Sequence, residues 1–376
     1  MSPELLCYLA PAIPALPALA FLLLASASLA GLRLSERFVS RVTALALSSA
    51  FALSVLAAYG VLQLPTQQLV VDLGAWFRSA DLELPMTLLL DRLSVAMAVV
   101  SSGVCGLVGR FAVSYLHQER RFLRFFGLLL LFTAGMLLVV LAGNLPLLFC
   151  GWELLGISAS LLIGFFDERL GPVRNALRAF LCYRACDVGI LLAIALLAHE
   201  GRDVGFAPSG SLAVDVGAGV GLLLTLGSLG KSAQLPLSGW LPRAMEGPTP
   251  SSALCYGALS VHAGVYLMLR CAPFFEASWV ARGVLGAIAC ATAVWATLCA
   301  RVQTDVKNGL AFASLTQVSL MLVEIALGLY SLALVHMLGH IALRTLQLLR
   351  APTPSTTRTC ARRSSGPLHA ARRPGW

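Results

Sequence analysis

The chain has 376 residues, 58% of them hydrophobic and only 12% charged, with a mean hydropathy of +0.83. Soluble domains carry about a quarter charged residues, so this composition excludes a soluble enzyme, a disordered chain and a disulfide-rich secreted module. The net charge of +9 does not mark a nucleic-acid partner: the last 26 residues hold five arginines and no acid, and the remaining charge is not gathered on one face.

In chain order, apolar windows fall at 5–30, 42–64, 86–108, 125–143, 146–166, 176–198, 214–242, 251–270, 280–300, 308–328 and 331–350. Each is long enough to cross a bilayer, and a lone strand could not satisfy its backbone there, so the expectation is an all-α polytopic membrane protein of eleven helices. The first window, punctuated by Pro11, Pro14 and Pro17, has no basic leader and no persuasive cleavage site and reads as a span. Residues 1–84 then hold two helices and a loop, 85–350 hold helices three to eleven, and 351–376 form a basic tail. The ten cysteines show no ligand-like spacing; Cys182 and Cys186 share a helix face and read as packing residues.

The connections between windows sort the basic residues. Odd connections hold Arg33, Arg37, Arg41, Arg110, Arg120, Arg121, Arg124, Arg169, Arg174, Arg243, Arg301 and Lys307; even ones hold Arg78, Arg92, Arg202 and Arg282. The positive-inside rule therefore puts the N-terminus outside and the odd connections in the cytoplasm, in an inner membrane.

The seventh window differs from the others. It carries Gly230, Lys231 and Pro236 in mid-span, which predicts two half-helices with a break at membrane depth, the kind of break that lines a polar cavity. Thr225 stands where a phosphate loop would need glycine, which excludes nucleotide binding.

Ionisable residues at membrane depth are costly and default to function. They are Glu153, Asp187, Lys231, Glu324, His336, His340 and His262. Of 27 basic residues only Lys231 and Lys307 are lysine. Arginine suffices for a fixed charge, whereas an amine can release its proton, so a lysine kept at a helix break suits a proton carrier. His336, His340 and Arg344 recur every fourth residue and share one helix face, a spacing that suits a relay. His262 is isolated and expected to pack, and Asp187 is expected to pair with Arg184 or Arg178.

The stretches LDRLS (90–94), RFFGLLLLFTAGMLLVVLAGN (124–144), GWELLGISASLLIGFF (151–166), GKSAQLPLSGWLPRAMEGPTPSSAL (230–254) and QTDVKNGLAFASLTQ (303–317) resemble one family. It is the antiporter-like membrane subunits of respiratory complex I, of the chain L or chain 5 type, with their relatives in multisubunit Na+/H+ antiporters. The resemblance implies a proton-translocating subunit of a larger assembly, with no redox cofactor or metal of its own, and one full and one incomplete inverted repeat. By residue match it assigns proton translocation to Glu153, paired with Lys231, and to Lys307, His336 and His340. Arg344 stands where the family has lysine, Tyr256 where it has histidine, Arg243 where it has aspartate and Glu324 where it is apolar. Glu324, Arg344 and Asp187 are thus expected modulators, with Glu324 at the depth of His336.

Three functions follow as expectations. The first is a proton- or Na+-translocating subunit beside other membrane subunits and a quinone-reductase arm. The second is the membrane subunit of an inorganic-carbon uptake complex with a large zinc-containing partner. The third is a non-conducting remnant, because the family continues beyond the eleventh helix whereas residues 351–376 are proline- and arginine-rich and read as a frameshift product.

Overall fold

The computed structural model describes residues 2–78, 83–206 and 214–351; of the basic tail expected at 351–376, all but Ala351 lies outside them. The helices are α1 (Pro3–Leu29), α2 (Glu36–Gln63), α3 (Arg92–Tyr115), α4 (Phe122–Leu141), α5 (Leu145–Ile163), α6 (Leu170–His199) and α7 (Val214–Lys231). They continue with α8 (Thr249–Arg270), α9 (Trp279–Arg301), α10 (Val306–Ala326) and α11 (Tyr330–Arg350). Among the described residues ten of these are long and apolar enough to cross a membrane, and α7 is a shorter apolar helix. The chain is an integral, multi-pass, helical membrane protein.

One expectation changes. The third window was placed from residue 86, but residues 86–91 belong to a β-hairpin, β1 (Gln68–Arg78) and β2 (Glu83–Asp91), and α3 starts at Arg92. Leu88 and Leu90 are buried and Leu89 only partly so, an alternation of period 2 that a mean over the window averages away. Asp91 ends the strand by capping α3: its carboxylate accepts from Ser94 N at 2.8 Å while Ser94 Oγ accepts from Asp91 N at 2.8 Å.

The connections gather on two faces. On the odd face, Glu36 accepts from Gln118 N at 3.0 Å, Asp167 holds Arg121 and Arg124, and Tyr115 Oη lies 3.3 Å from Thr249 Oγ1. On the even face, Gly143 N donates to Thr87 O at 2.7 Å, Leu145 N to Val204 O at 3.0 Å and Arg282 Nε to Ala326 O at 2.9 Å. Arg270, at the end of α8, donates to Asp91 at 2.5 and 3.1 Å and to Tyr266 Oη at 2.7 Å, clamping α8 to the hairpin.

α4 is apolar all round and is buried on nearly every face, whereas α1 exposes Leu19, Leu22 and Leu23. With lipid as apolar as leucine, close packing rather than water exclusion joins such helices. α4 and α5 meet through glycine: a Cβ on Gly151 would lie 2.7 Å from Val139 N, and one on Gly135 would lie 2.8 Å from Leu155 N. This backbone contact fixes the rotation of α5 and hence the direction in which Glu153 points.

Candidate functional site: two polar clusters joined at paired helix breaks

The seventh window breaks where the sequence indicates. α7 ends at Lys231, Ala233 takes a left-handed φ of +51°, and Pro236 follows, after which only short 3-10 turns lead to the odd face. The expected second half-helix is thus reduced to the turns Ser238–Trp240 and Pro242–Glu246. Freed carbonyls find new partners, since Trp240 Nε1 donates to Gly230 O at 3.0 Å.

A second break was not expected. α8 passes through π geometry at Ala253–Ala258 and 3-10 geometry at Ser260–His262 before regular helix resumes at Ala263. The two breaks touch: Ser232 Oγ donates to Val261 O at 2.9 Å, so Lys231 and His262 are each one residue from the same hydrogen bond. Gln234 extends the contact to α10, donating to Ser232 O at 2.8 Å and accepting from Ser319 Oγ at 3.1 Å.

The first cluster is built by α5, α6 and α7. Lys231 is fully buried, its Nζ lying 4.8 Å from the ring centre of Trp152 and 4.7 Å from that of Tyr183. Nζ has no hydrogen-bond partner among the described residues. Aromatic faces attract a cation without fixing it as a carboxylate would. Gly156 makes room for the amine, since a Cβ there would sit 2.8 Å from Nζ.

Glu153 does not pair with Lys231 as expected. It forms an ion pair with Arg184, which also donates to Asp187 Oδ2 at 2.6 Å, while Trp152 Nε1 donates to Asp187 Oδ1 at 2.5 Å. A guanidinium directs N–H donors along separate edges and serves two carboxylates together, and the Lys231 amine lies beside it: a Cβ on Gly156 would sit 2.8 Å from Nζ and 3.4 Å from Arg184 Nη2. Asp187 does take Arg184, three residues before it, as a partner.

The second cluster is built by α8, α10 and α11. His262 Nε2 and His340 Nδ1 lie 2.9 Å apart, so one donates and the other accepts, and both residues are buried. The His336 and His340 rings stand perpendicular with centres 6.5 Å apart. His336 places Nδ1 2.9 Å from Glu324 Oε1 and Nε2 2.9 Å from Gln317 Oε1. The placement of Glu324 beside His336 is therefore met, while His262, expected only to pack, is a member of the cluster.

Lys307 belongs to neither cluster, whereas Arg344 is buried one turn beyond His340 on the same face of α11. Lys307 lines a cavity of about 1130 Å³ on the odd face with Arg169, Arg243, Glu246 and Asp305. It is seventeen residues before Glu324 on α10, about 25 Å away at 1.5 Å per residue. Arg344 donates instead to Gln347 Oε1 at 2.9 Å.

Sequence reasoning missed Arg184 as the partner of Glu153, and it missed His262, Gln234 and Gln317. The one available signal was chemical: each is polar inside an otherwise apolar window.

Comparison with known proteins agrees with this architecture. Residues 142–359 match the family model described as NADH:quinone oxidoreductase/Mrp antiporter, TM, and residues 76–126 match NADH-ubiquinone oxidoreductase (complex I), chain 5 N-terminus. The chain is 34% identical over 342 residues to NADH-quinone oxidoreductase subunit L of Neisseria meningitidis, covering 86% of this chain and 51% of that protein. It thus spans about half the length of the curated relatives it matches. In fold it is similar to a chain of the Mrp complex from Dietzia sp. DQ12-45-1b, with a TM-score of 0.75 at 24% identity over 93% of this chain and 37% of the other. It is also similar to a chain of the archaeal membrane-bound sulfane sulfur reductase, with a TM-score of 0.77 at 23% identity over 90% of this chain and 70% of the other. The chain belongs to the family of antiporter-like membrane subunits shared by NADH:quinone oxidoreductase and Mrp antiporters.

Proposed function

We propose that the chain moves protons as one subunit of a larger assembly in the inner membrane, with its odd connections in the cytoplasm. The observation that carries this reading is Lys231, a fully buried amine at a helix break with aromatic faces around it and no hydrogen-bond partner among the described residues. A structural lysine at membrane depth would have a carboxylate of its own.

In this reading a proton is taken up from the odd face through the cavity beside Lys307 and reaches Lys231. Arg184 sets how strongly the amine holds it. While Arg184 occupies both Glu153 and Asp187, it offsets one of their two charges and holds both carboxylates toward itself; when it turns wholly to Asp187, Glu153 becomes free to stabilise a charged Lys231. The return of Arg184 to Glu153 expels the proton across the paired breaks to His262 and His340. Moving one charge against the membrane potential costs about 2.3 kcal/mol per 100 mV, which a partner subunit must supply. Amines and imidazoles bind H+ and not Na+, which favours the proton as the coupled ion.

The test is proton movement into vesicles carrying the assembly with Lys231→Met. The expected result is normal insertion with coupled proton movement abolished; retained movement overturns the proposal.

A further inference from the structure

We propose that Glu324 is a proton-release group, giving this part of the molecule its own outlet to the even face through His336; the inference rests on the reading of Lys231 as a proton carrier. The position of Glu324 is the first argument. α10 begins beside the odd-face cavity and ends at the turn Leu327–Leu329, and Glu324 lies three residues before that turn, about 5 Å along the helix axis. Arg282, at the even-face end of α9, donates to Ala326 O at 2.9 Å and ties that turn to the even face.

The second argument is the partner. A carboxylate held for structure takes a fixed cation, as Asp91 takes Arg270. Among the described residues no arginine or lysine pairs with Glu324; its ion-pair partner is His336, and its Oε2 is without a hydrogen-bond partner. Arg282, the nearby cation, spends its Nε on a backbone carbonyl instead. An imidazole is a partner that exchanges protons.

The third argument is direction. Both ring nitrogens of His336 face oxygen acceptors, Glu324 Oε1 and Gln317 Oε1. An amide oxygen is far too weak a base to keep a proton, so a proton reaching the ring leaves only by the Nδ1–Oε1 bond. Exposure separates the two ends of this chain of groups. Glu324 and His336 leave 18% and 23% of their side chains exposed, whereas His340 and His262 are buried. The path is therefore His262, His340, His336, Glu324. Its one gap, between His340 and His336, is of a width that a bridging water or a ring rotation closes.

The step conserves its proton. His336 receives one proton from the His340 side and passes its Nδ1 proton to Glu324 Oε1. The incoming proton binds at Nε2 as its contact with Gln317 opens, the carboxylic acid loses its proton at the even face, and a flip of the ring, left as the Nε2–H tautomer, restores the starting state.

The test measures proton movement in vesicles bearing the whole assembly, with Glu324→Gln, Glu324→Asp and Lys231→Met compared. Glu324→Gln is expected to slow movement roughly 100-fold, the low end of what a positioned proton donor contributes. Glu324→Asp should keep part of the rate. Formate added at the even face should restore movement in Glu324→Gln, and formate at the odd face should not; a merely structural acid would not be rescued by a diffusible one. Wild-type rates in Glu324→Gln with Lys231→Met inactive overturn this outlet and leave the reading of Lys231 intact. Wild-type rates in Lys231→Met overturn that reading and the outlet with it. Should Glu324→Gln not assemble, His336→Gln with imidazole added at the even face decides: a slowed rate restored by imidazole supports the outlet, and a wild-type rate without it overturns the outlet.

Discussion

The two polar clusters hold protonatable groups at membrane depth in opposite ways. The first surrounds Lys231 with groups already committed to each other: Glu153 and Asp187 share Arg184, and Trp152 closes the remaining side of Asp187. In the second, among the described residues, no fixed cation is hydrogen-bonded to the rings, and the buried Arg344 donates to Gln347 instead; His262 faces His340, and His336 faces a carboxylate and an amide. A cluster of fixed charges can set whether an amine keeps its proton, but it conducts poorly because arginine does not release one. A chain of imidazoles conducts but has no means to hold or refuse a proton. In the proposed mechanism the first cluster gates and the second conducts, joined by the bond from Ser232 to Val261.

The comparison can be broken at several points. The largest structural effect is expected for Arg184→Gln, which leaves two carboxylates unpaired at membrane depth and should cost about 3 kcal/mol of stability, read from thermal unfolding in detergent. Adding Glu153→Gln should return part of that loss, and a double-mutant cycle measures the coupling. Recovery absent from the cycle would mean that the two side chains do not interact.

His262→Phe keeps the volume and removes the relay. Conduction should fall by roughly 100-fold with little loss of stability, measured as vesicle acidification beside an unfolding curve. A wild-type rate would return His262 to a packing role. Gly156→Ala is a gentler probe of the first cluster. The new methyl meets the far end of a flexible side chain, so the helix stays in place while Nζ moves, and the rate should fall by about tenfold or less.

The smallest effect on transport belongs to Asp91. Burial opposes its charge, but the Arg270 guanidinium and the Ser94 N–H outweigh it and hold the carboxyl below its ordinary value of 3.8. A depressed carboxyl stabilises the fold above the unfolded value and loses that contribution as pH falls through the folded one. The β-hairpin should therefore resist proteolysis at neutral pH and loosen only below about pH 4, with Asp91→Asn loosening it at every pH. A cleavage rate indifferent to both would show that the clamp to α8 does not hold the hairpin.

How much of this was legible in the sequence depends on the range of each interaction. The spans follow from hydropathy alone, and the break after Lys231 follows from Gly230 and Pro236. Lys231 itself stood out because so few basic residues are lysine, and Asp187 with Arg184 because they are one helical turn apart. What escaped is long in sequence or short in period. His262 meets His340 78 residues away, and Arg184 reaches Glu153 on another helix. β1 falls in the connection between the second and third windows, and the end of β2 hides in the third, whose mean hydropathy does not record alternation. Lys307 was expected in the relay on the strength of resemblance, and its position on α10 puts it at the odd-face cavity instead.

The central claim is that the Lys231 amine carries the proton rather than merely supplying charge. Lys231→Arg tests it most directly, because arginine keeps the cation and fills the same buried space but does not release its proton. Measured as proton movement in vesicles with the assembly intact, the variant should insert, assemble and be silent. Movement at the wild-type rate would show that a fixed positive charge suffices at this break, and the carrier role would be lost.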